Sequence, residues 1–424
     1  MTSFSCFRRL PAATVFAAAA VLAAGCAHEA STEEQASSEA HVELAPAVVI
    51  ASLEATRTAE ILPESIRVPL ADAAPYAALP PGTVFVGARG DADGKNPDGF
   101  LRRIVSVRTE GDTLVITTTP ATLTDAIVSG SVHASSSGTS FDSELRAGRD
   151  LKLDLDFSNE VLFENVDEVE TANGTTRFTE TIRFDQAKLF ARPSVDVNLR
   201  IKGGKASRFL AKVEGQLDAS INARAEVQAE GVVSDEALAA LRERKHHVEK
   251  VLYKSKRIPL PTFAVGRVPV STAVELSVIM KCDLAFGGPL VARAGVEAKS
   301  YVRLTAVQEE GAWAPPTSSD FDIRPSFSID RGSDVDARCA LEASAELSAY
   351  GTSGVTMTVA PYVDFDVKSS ALDKNVFIAA TTATWSVTAG ATGAMRGSAD
   401  VFGVSALDQS LAEWKAEPLR GEVP

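Results

Sequence analysis

The side chains that could perform catalysis are few in this sequence and are widely separated. Asp154 and Asp156, and likewise Asp364 and Asp366, are carboxylates two residues apart, a spacing that places both members of a pair on one face of a β-strand. Paired carboxylates can hydrolyse glycosides, but the pattern is also typical of solvated strand faces. Because the sequence lacks nucleophile-elbow, HExxH, P-loop and dinucleotide-binding motifs, we predict no catalytic residues and no enzyme.

The five histidines do not form a metal-binding or acid–base pattern. His246 and His247 are adjacent in a segment that we predict to be helical, so their side chains point about 100° apart and do not converge on one ion. His28 and His41 lie near the amino terminus, and His133 has no predicted partner that would make it a base. We expect a solvated polar face at His246 and His247.

Three aspartates in a loop rich in Gly, Asp and Pro raise the question of calcium. Asp91, Asp93 and Asp98 have partly suitable spacing, but Lys95 and Arg102 stand where an EF-hand loop requires ligands. We therefore predict a solvated turn, and we expect no metal and no cofactor in this protein.

Two cysteines are predicted to pair. Cys282 and Cys339 are 57 residues apart, and both occupy the apolar phase of alternating segments, so both thiols should point inward. In an oxidising compartment such a pair usually closes into a disulfide. Two buried free thiols are the alternative.

Composition narrows the class of protein further. The chain has 424 residues, 45% hydrophobic and 23% charged, with a formal net charge of -14. These fractions are ordinary for a globular protein and exclude wholesale disorder. The negative charge repels phosphate backbones, so we expect no nucleic-acid partner.

Long alternating segments must position all of these groups. From Phe209 to Ala229 the odd positions are apolar or small and nearly all even positions are polar, which predicts one long strand with one buried face. It should bend at Gly215 or cross between packed sheets. The pattern returns over Val268–Leu304, predicted as a long hairpin that turns at Phe286–Pro289, and in the segments 337–349, 355–367 and 383–401.

These patterns predict a mainly β protein. We expect long antiparallel amphipathic strands in an elongated β-sandwich or barrel-like body over residues 136–424, preceded by a small β-rich unit over 61–135. In the small unit, Thr122 and Asp125 have the spacing of a capping box. One inserted helix is predicted near 235–254, capped by Ser234.

The amino terminus resembles that of a bacterial lipoprotein precursor. Arg8 and Arg9 precede an apolar run that ends in Leu22–Ala23–Ala24–Gly25–Cys26, similar to a signal peptide (1–25) with a lipobox. The resemblance implies diacylglycerol on Cys26 and, because Ala27 follows, a lipid-anchored protein of the outer membrane on its periplasmic or surface face. Ordinary secretion with Cys26 as a free thiol and a retained membrane anchor are the alternatives. Residues 26–60 are then predicted to be an acidic flexible tether.

The region from Leu151 to Glu417 resembles a large β domain that recurs in uncharacterised secreted and surface proteins of bacteria. The resemblance rests on turns and aromatic residues: Pro269–Val270, the strand ending Glu310–Pro315, Tyr350–Gly351 leading to Ala360–Val363, and Trp385. It implies a fold and no activity.

Three classes of function fit these features. The first is a surface-tethered lipoprotein with a binding or structural role, whose partners are the membrane, through the anchor, and an envelope or extracellular protein or a glycan. The second is a carrier of lipid or another apolar ligand in the space between the long sheets, because many inward positions are Ala, Gly or Val. An enzyme and a transmembrane barrel are the remaining alternatives.

Overall fold

The computed structural model describes residues 42–90, 94–135, 152–260, 262–314, 317–318, 322–331, 334–369 and 383–423. The described residues lie mostly in strands, which confirms the predicted mainly β fold class. Within them, no helix is both long and apolar enough to cross a bilayer.

The elements follow one another along the chain with few helices between the strands. The described helices are α1 (Leu53–Thr58), α2 (Leu70–Ala73), α3 (Leu123–Ala126) and α4 (Asp235–Arg242), with 3-10 turns at Ala74–Tyr76 and Asp400–Phe402. The described strands are β1 (Glu43–Leu44), β2 (Val48–Ile50), β3 (Glu60–Ile61), β4 (Ser65–Pro69), β5 (Val84–Gly87), β6 (Phe100–Glu110), β7 (Thr113–Pro120), β8 (Ile127–Ser135), β9 (Leu153–Asp156), β10 (Val161–Thr171), β11 (Gly174–Lys202), β12 (Lys205–Gly231), β13 (Lys245–Lys254), β14 (Ile258–Pro259), β15 (Phe263–Val265), β16 (Val268–Val270), β17 (Thr272–Phe286), β18 (Leu290–Glu309), β19 (Ala312–Trp313), β20 (Thr317–Ser318), β21 (Asp322–Arg331), β22 (Val335–Ala349), β23 (Thr352–Ser369), β24 (Ala383–Ala399), β25 (Val404–Lys415) and β26 (Leu419–Val423).

Two large antiparallel sheets form the main body. The ten-stranded sheet has the order β1-β8-β11-β12-β18-β19, with β9 and β10 also paired to β11, and β20 and β21 to β18. The eight-stranded sheet has the order β13-β17-β22-β23-β24-β25, with β14 paired to β17 and β26 to β24. Their inward side chains, such as Leu199 and Val278, belong to one shared buried core, so the body is a β-sandwich. The predicted 209–229 strand lies within β12, which stays in one sheet over its whole length rather than crossing between sheets.

The chain passes between these two sheets at three connections: from β12 to β13, from β17 to β18 and from β21 to β22. All three connections lie at one end of the sandwich, which we call the crossing end. The strands that they join have their last residue pairs there. These pairings are Val227 with Leu290, Phe286 with Val335 and Val291 with Arg331.

The small sheet has the order β2-β5-β6-β7-β4-β3 and is antiparallel except for the parallel pair β2–β5. One face packs against α1, α2 and the 3-10 turn in a core of its own. The other face, which includes Val84 and Leu101, belongs to the core of the sandwich. Arg89 joins the two parts, because its guanidinium donates to the carbonyl oxygens of Leu260 and Thr272 at 3.2 and 2.9 Å.

Two predicted boundaries are corrected by this arrangement. The flexible tether was predicted to extend to residue 60, but β1, β2 and α1 already lie within 43–58, because Val48–Ile50 pairs with β5 and Ser52 caps α1. The small unit was predicted to end at 135, but β8 pairs with β11 of the ten-stranded sheet. The predicted capping box of Thr122 and Asp125 is confirmed at α3.

Two predicted elements are wrong. β17 and β18 do not form a hairpin, since they lie in different sheets and face each other across the core. An alternating pattern shows which side of a strand is buried, but the pattern is the same for strands paired edge to edge and for strands packed face to face. The predicted helix near 235–254 ends at Arg242, and 245–254 is β13. The Ser234 cap is confirmed by its contact with the Ala237 amide.

Candidate functional site

The clearest candidate site is an apolar cleft between the two large sheets, with a volume of about 70 Å³. It is lined from the ten-stranded sheet by β9, β11, β12 and β18, and from the eight-stranded sheet by β17, β22 and β23. Among the described residues that line it, none has a titratable side chain. They are Leu153, Ala191, Pro193, Val213, Gly215, Gln216, Leu217, Leu276, Val302, Ala343, Ser344, Ala345, Met357 and Val359.

Solvent reaches this part of the interior. Val213, Ala343, Ala345 and Val359 occupy the inward phase of their strands and contact the shared core, yet all four are partly exposed. The cause is side-chain size, since two alanines of β22 face the cleft where larger side chains would close the gap between the sheets. The cleft therefore opens to the outside.

The outer partner of β11 changes from β9 to β8 near the cleft. On the outer side of β11, β9 pairs as far as Ala191 and β8 begins to pair at Asp196. Pro193 lies between these two pairings and has no N–H to offer a neighbouring strand.

Gly215 of β12 lies directly opposite Pro193. A Cβ atom at this position would meet the Arg192 carbonyl oxygen at 2.1 Å, so the close approach of β11 and β12 behind the cleft requires glycine. The expected bend of β12 at Gly215 stays a prediction.

A polar cluster lies near the crossing end, on the inward side of the sandwich. The side chain of Glu180 on β11 is fully buried, and its Oε2 lies 3.0 Å from Nε2 of His246 on β13. Asn165 donates to the same carboxylate at 3.2 Å, whereas Oε1 of Glu180 has no hydrogen-bond partner within the described part of the chain. This cluster connects the two sheets through side chains.

The predicted histidine positions are thereby partly corrected. His246 and His247 lie on β13 and not on a helix, and they point to opposite faces. His247 is exposed, with Nδ1 2.7 Å from Oδ1 of Asp283. His133, predicted to lack a partner, has Nε2 2.8 Å from Oδ1 of Asp196, and both side chains are exposed.

The aspartate pairs do not converge. Asp154 and Asp156 form exposed ion pairs with Lys152 and Lys188, and hydrogen bonds from Ser158 lower the pKa of Asp156. Asp366 pairs with Lys368 at 2.8 Å.

Asp364 lies on the outer face of the eight-stranded sheet. Partial burial raises its pKa. The positive charge of Arg338, which lies directly opposite on β22, counteracts this rise.

A cluster on this outer face was missed by the sequence analysis. The guanidinium of Arg338 lies over the ring of Tyr362 at 4.4 Å, and the Tyr362 hydroxyl donates to Glu413 at 3.1 Å. Burial raises the pKa of Tyr362 to about 12, and the hydrogen bond to Glu413 contributes a smaller part of this rise. The phenol therefore acts as a protonated donor that links β23 to β25.

The predicted cysteine pair is bridged. Cys282 on β17 and Cys339 on β22 are directly opposite one another, with their sulfur atoms 2.12 Å apart, and both are buried in the sandwich core. Cys26 lies outside the described residues.

Metal binding is not indicated by the described part of the chain, where no three His, Cys, Asp or Glu side chains are grouped to hold an ion. Of the predicted solvated turn, Asp91 and Asp93 lie outside the described residues, and Asp98 pairs with Arg257 at 2.8 Å.

A comparison of the chain with protein-family models, with curated proteins and with solved structures finds no match. The two resemblances drawn from the sequence therefore stay predictions, and the cleft is the feature on which a functional argument can be built.

Proposed function

We propose that this chain is an exported lipoprotein, anchored to the outer membrane through Cys26, whose β body has a binding or structural role and no catalytic one. Its expected partners, besides the membrane, are an envelope or extracellular protein or a glycan. The observation that supports export is the bridged pair of Cys282 and Cys339, since such bridges persist in oxidising compartments.

The anchor is tested by replacing Cys26 with Ser and supplying a clickable fatty acid to growing cells. We expect the variant to lose the label and to leave the membrane fraction. Cys6→Ser is the matched control, because Cys6 belongs to the predicted signal peptide, and it should remain labelled. Label retained by Cys26→Ser would contradict the proposal.

A second candidate function, the carriage of a lipid or another apolar ligand, is favoured by the cleft. Apolar side chains such as Val213 and Val359 remain partly exposed inside the sandwich, and covering them would be favourable at about 25 cal/mol per Å² of apolar surface. A pocket with an apolar lining is the usual form of a small-molecule site.

Carriage is tested by purifying the full-length Cys26→Ser variant without detergent, extracting it with organic solvent and analysing the extract by mass spectrometry. An apolar compound at near-stoichiometric yield is expected. An extract without any such compound, together with no saturable uptake of added apolar compounds, would contradict carriage and leave the first function.

A further inference from the structure

We propose that the small sheet binds a sugar that carries one carboxylate group, and that Arg67 holds this carboxylate. The inference rests on the first proposed function, in which a glycan is one of the expected partners. It names the class of glycan and the site that binds it.

A pocket of about 300 Å³ lies on the small sheet, and we call it the small-sheet pocket. Most of its lining belongs to two rows of residues that cross neighbouring strands. In the first row, Glu60 of β3 stands opposite Arg67 of β4, and Arg67 stands opposite Val115 of β7. The second row consists of Pro69 of β4, Thr113 of β7 and Glu110 of β6.

Both rows lie on one face of the sheet, because the lining residues of β4 and those of β7 are two positions apart. Val68 and Leu114 stand between them on their strands and point to the other face, where they belong to the core under the helices. The small-sheet pocket therefore lies on the face opposite α1 and α2. Thr58, at the end of α1, and Lys95, whose carbonyl oxygen accepts from the amide of Ile61 on β3, complete the lining.

The charges around the pocket leave one cation without a partner. Nζ of Lys95 lies 3.0 Å from Oε1 of Glu60, and Nε of Arg108 lies 2.7 Å from Oε1 of Glu110. Each carboxylate of the lining is therefore already paired. Arg67 is exposed, and within the described part of the chain its guanidinium has no ion pair and no hydrogen bond.

The free guanidinium determines the charged group of the ligand. Arginine presents five N–H donors in a planar fork that matches a carboxylate through two parallel hydrogen bonds. A phosphate monoester also fits such a fork, but it brings between one and two negative charges at neutral pH. Glu60 and Glu110 stand on either side of Arg67 in the lining, so the smaller charge of a carboxylate is repelled less.

The other groups of the pocket suit a ring that carries hydroxyls. Glu60 and Glu110 accept hydrogen bonds, and the hydroxyl of Thr113 can both donate and accept. Pro69 is exposed and supplies apolar surface for the C–H groups of a sugar. The volume of about 300 Å³ is at the lower end of the roughly 300 to 1,000 Å³ of small-molecule sites, which leaves room for one sugar ring. A ring with hydroxyls and one carboxylate is a uronic acid.

The test measures binding of methyl galacturonoside and methyl glucuronoside to the full-length Cys26→Ser variant by isothermal calorimetry. The methyl esters of the two sugars are the neutral comparison probes, because they keep the ring and its hydroxyls and lose the charge. Mannose 6-phosphate is the phosphate probe. We expect one site per chain for at least one of the two acids, and at least 10-fold weaker binding of its ester and of the phosphate.

Arg67→Gln should weaken binding of the acid at least 10-fold, because it removes the charge. Arg67→Lys keeps the charge without the fork and should weaken binding about 3-fold or more. Arg177→Gln is the matched control, because Arg177 is an exposed arginine of β11 outside the pocket, and it should leave the affinity unchanged. Thr113→Val should weaken binding about 3-fold or more, and it serves if Arg67→Gln does not fold.

The inference is overturned if neither acid binds saturably, if an ester binds as tightly as its acid, or if Arg67→Gln and Arg177→Gln bind the acid equally well. Tighter binding of mannose 6-phosphate would show that the ligand class is wrong. If the pocket fails and neutral glycans bind on a glycan array, the binding role stands and only the class of glycan is wrong. Fatty-acid label retained by Cys26→Ser would contradict the proposed lipoprotein whatever the pocket binds.

Discussion

The helix-covered face of the small sheet and the cleft face of the sandwich are both lined by apolar side chains from alternating strand positions, yet only the first excludes solvent. In the small sheet, Tyr76, Phe85 and Phe100 stack with ring centroids 5.1 and 5.0 Å apart and are at most 6% exposed. In the cleft, the facing positions on β22 are Ala343 and Ala345, and both are partly exposed.

Alternation along a strand and closure between two layers are therefore separate properties. Alternation decides which side of a strand turns inward, whereas the summed volume of the facing side chains decides whether two layers meet without a gap. The small sheet has both properties, and the middle of the sandwich has only the first.

Removing side-chain volume should affect the small core far more than the cleft. Ile116→Ala in the small sheet, where Ile116 is fully buried, should lower the free energy of unfolding by about 2 to 5 kcal/mol, because it leaves a cavity. Val359→Ala in the cleft should cost about 1 kcal/mol, since this side chain is already partly exposed. Urea unfolding with unchanged m-values measures both, and equal losses would show that the cleft is as tightly packed as the small core.

The disulfide between Cys282 and Cys339 lies in a tightly packed part of the same sandwich. Replacing Cys282 and Cys339 together by Ala should lower the free energy of unfolding by about 2 to 4 kcal/mol, because the unfolded chain gains the freedom of a 57-residue loop. In thermal unfolding, reductant should lower the free energy of unfolding of the native chain by the same amount. A smaller shift in the double variant than on reduction would assign part of the effect to the free thiols.

Adding side-chain volume should likewise destabilise the small core and not the cleft. Ala55→Leu on α1, where Ala55 is 1% exposed, should cost about 1 to 3 kcal/mol through overpacking. Ala345→Leu should change the free energy of unfolding by no more than about 0.5 kcal/mol, because the cleft has room for the added atoms. A large loss from Ala345→Leu would mean that the cleft cannot accept a side chain of that size.

The smallest effect concerns a partly buried charge on the outer face. The pKa of Asp364 is raised by burial in the folded state, so the folded protein holds its proton to a higher pH than the unfolded chain does. Its ionisation therefore opposes folding once the pH rises through the raised pKa, and this opposition is absent below the ordinary aspartate value. Asp364→Asn should be slightly more stable than the native chain at pH 7 and equally stable at pH 3. A gain that persists at pH 3 would assign the effect to packing.

The local part of this fold could be predicted from the sequence, and the non-local part could not. Strand phase and the capping box at Thr122 follow from neighbours along the chain, and the pairing of Cys282 with Cys339 follows from strand phase and the predicted export to an oxidising compartment. The contact between Glu180 and His246 joins residues on different sheets, and Glu180 has no local signal that marks it as buried. The alternation of 245–254 was available as a strand signal, but the adjoining α4 stripe and basic ending favoured a longer helix.

The candidate site shows the same division. The many small inward residues predicted room between the sheets, but not where that room lies. The cleft is lined by Ala345 of β22 from one sheet and by Val213 and Gly215 of β12 from the other, and which positions of two sheets meet is set by their packing.

The cystine also closes a loop that leaves one sheet and returns to it. Cys282 stands four residues before the end of β17, Cys339 four residues after the start of β22, and all of β18, β19, β20 and β21 lies between them in the other sheet. Any single protease cut between these two cysteines therefore leaves the two fragments covalently joined. Nicked protein should run as one intact band on a non-reducing gel and as two fragments after reduction, so a protease that cuts this excursion releases neither half.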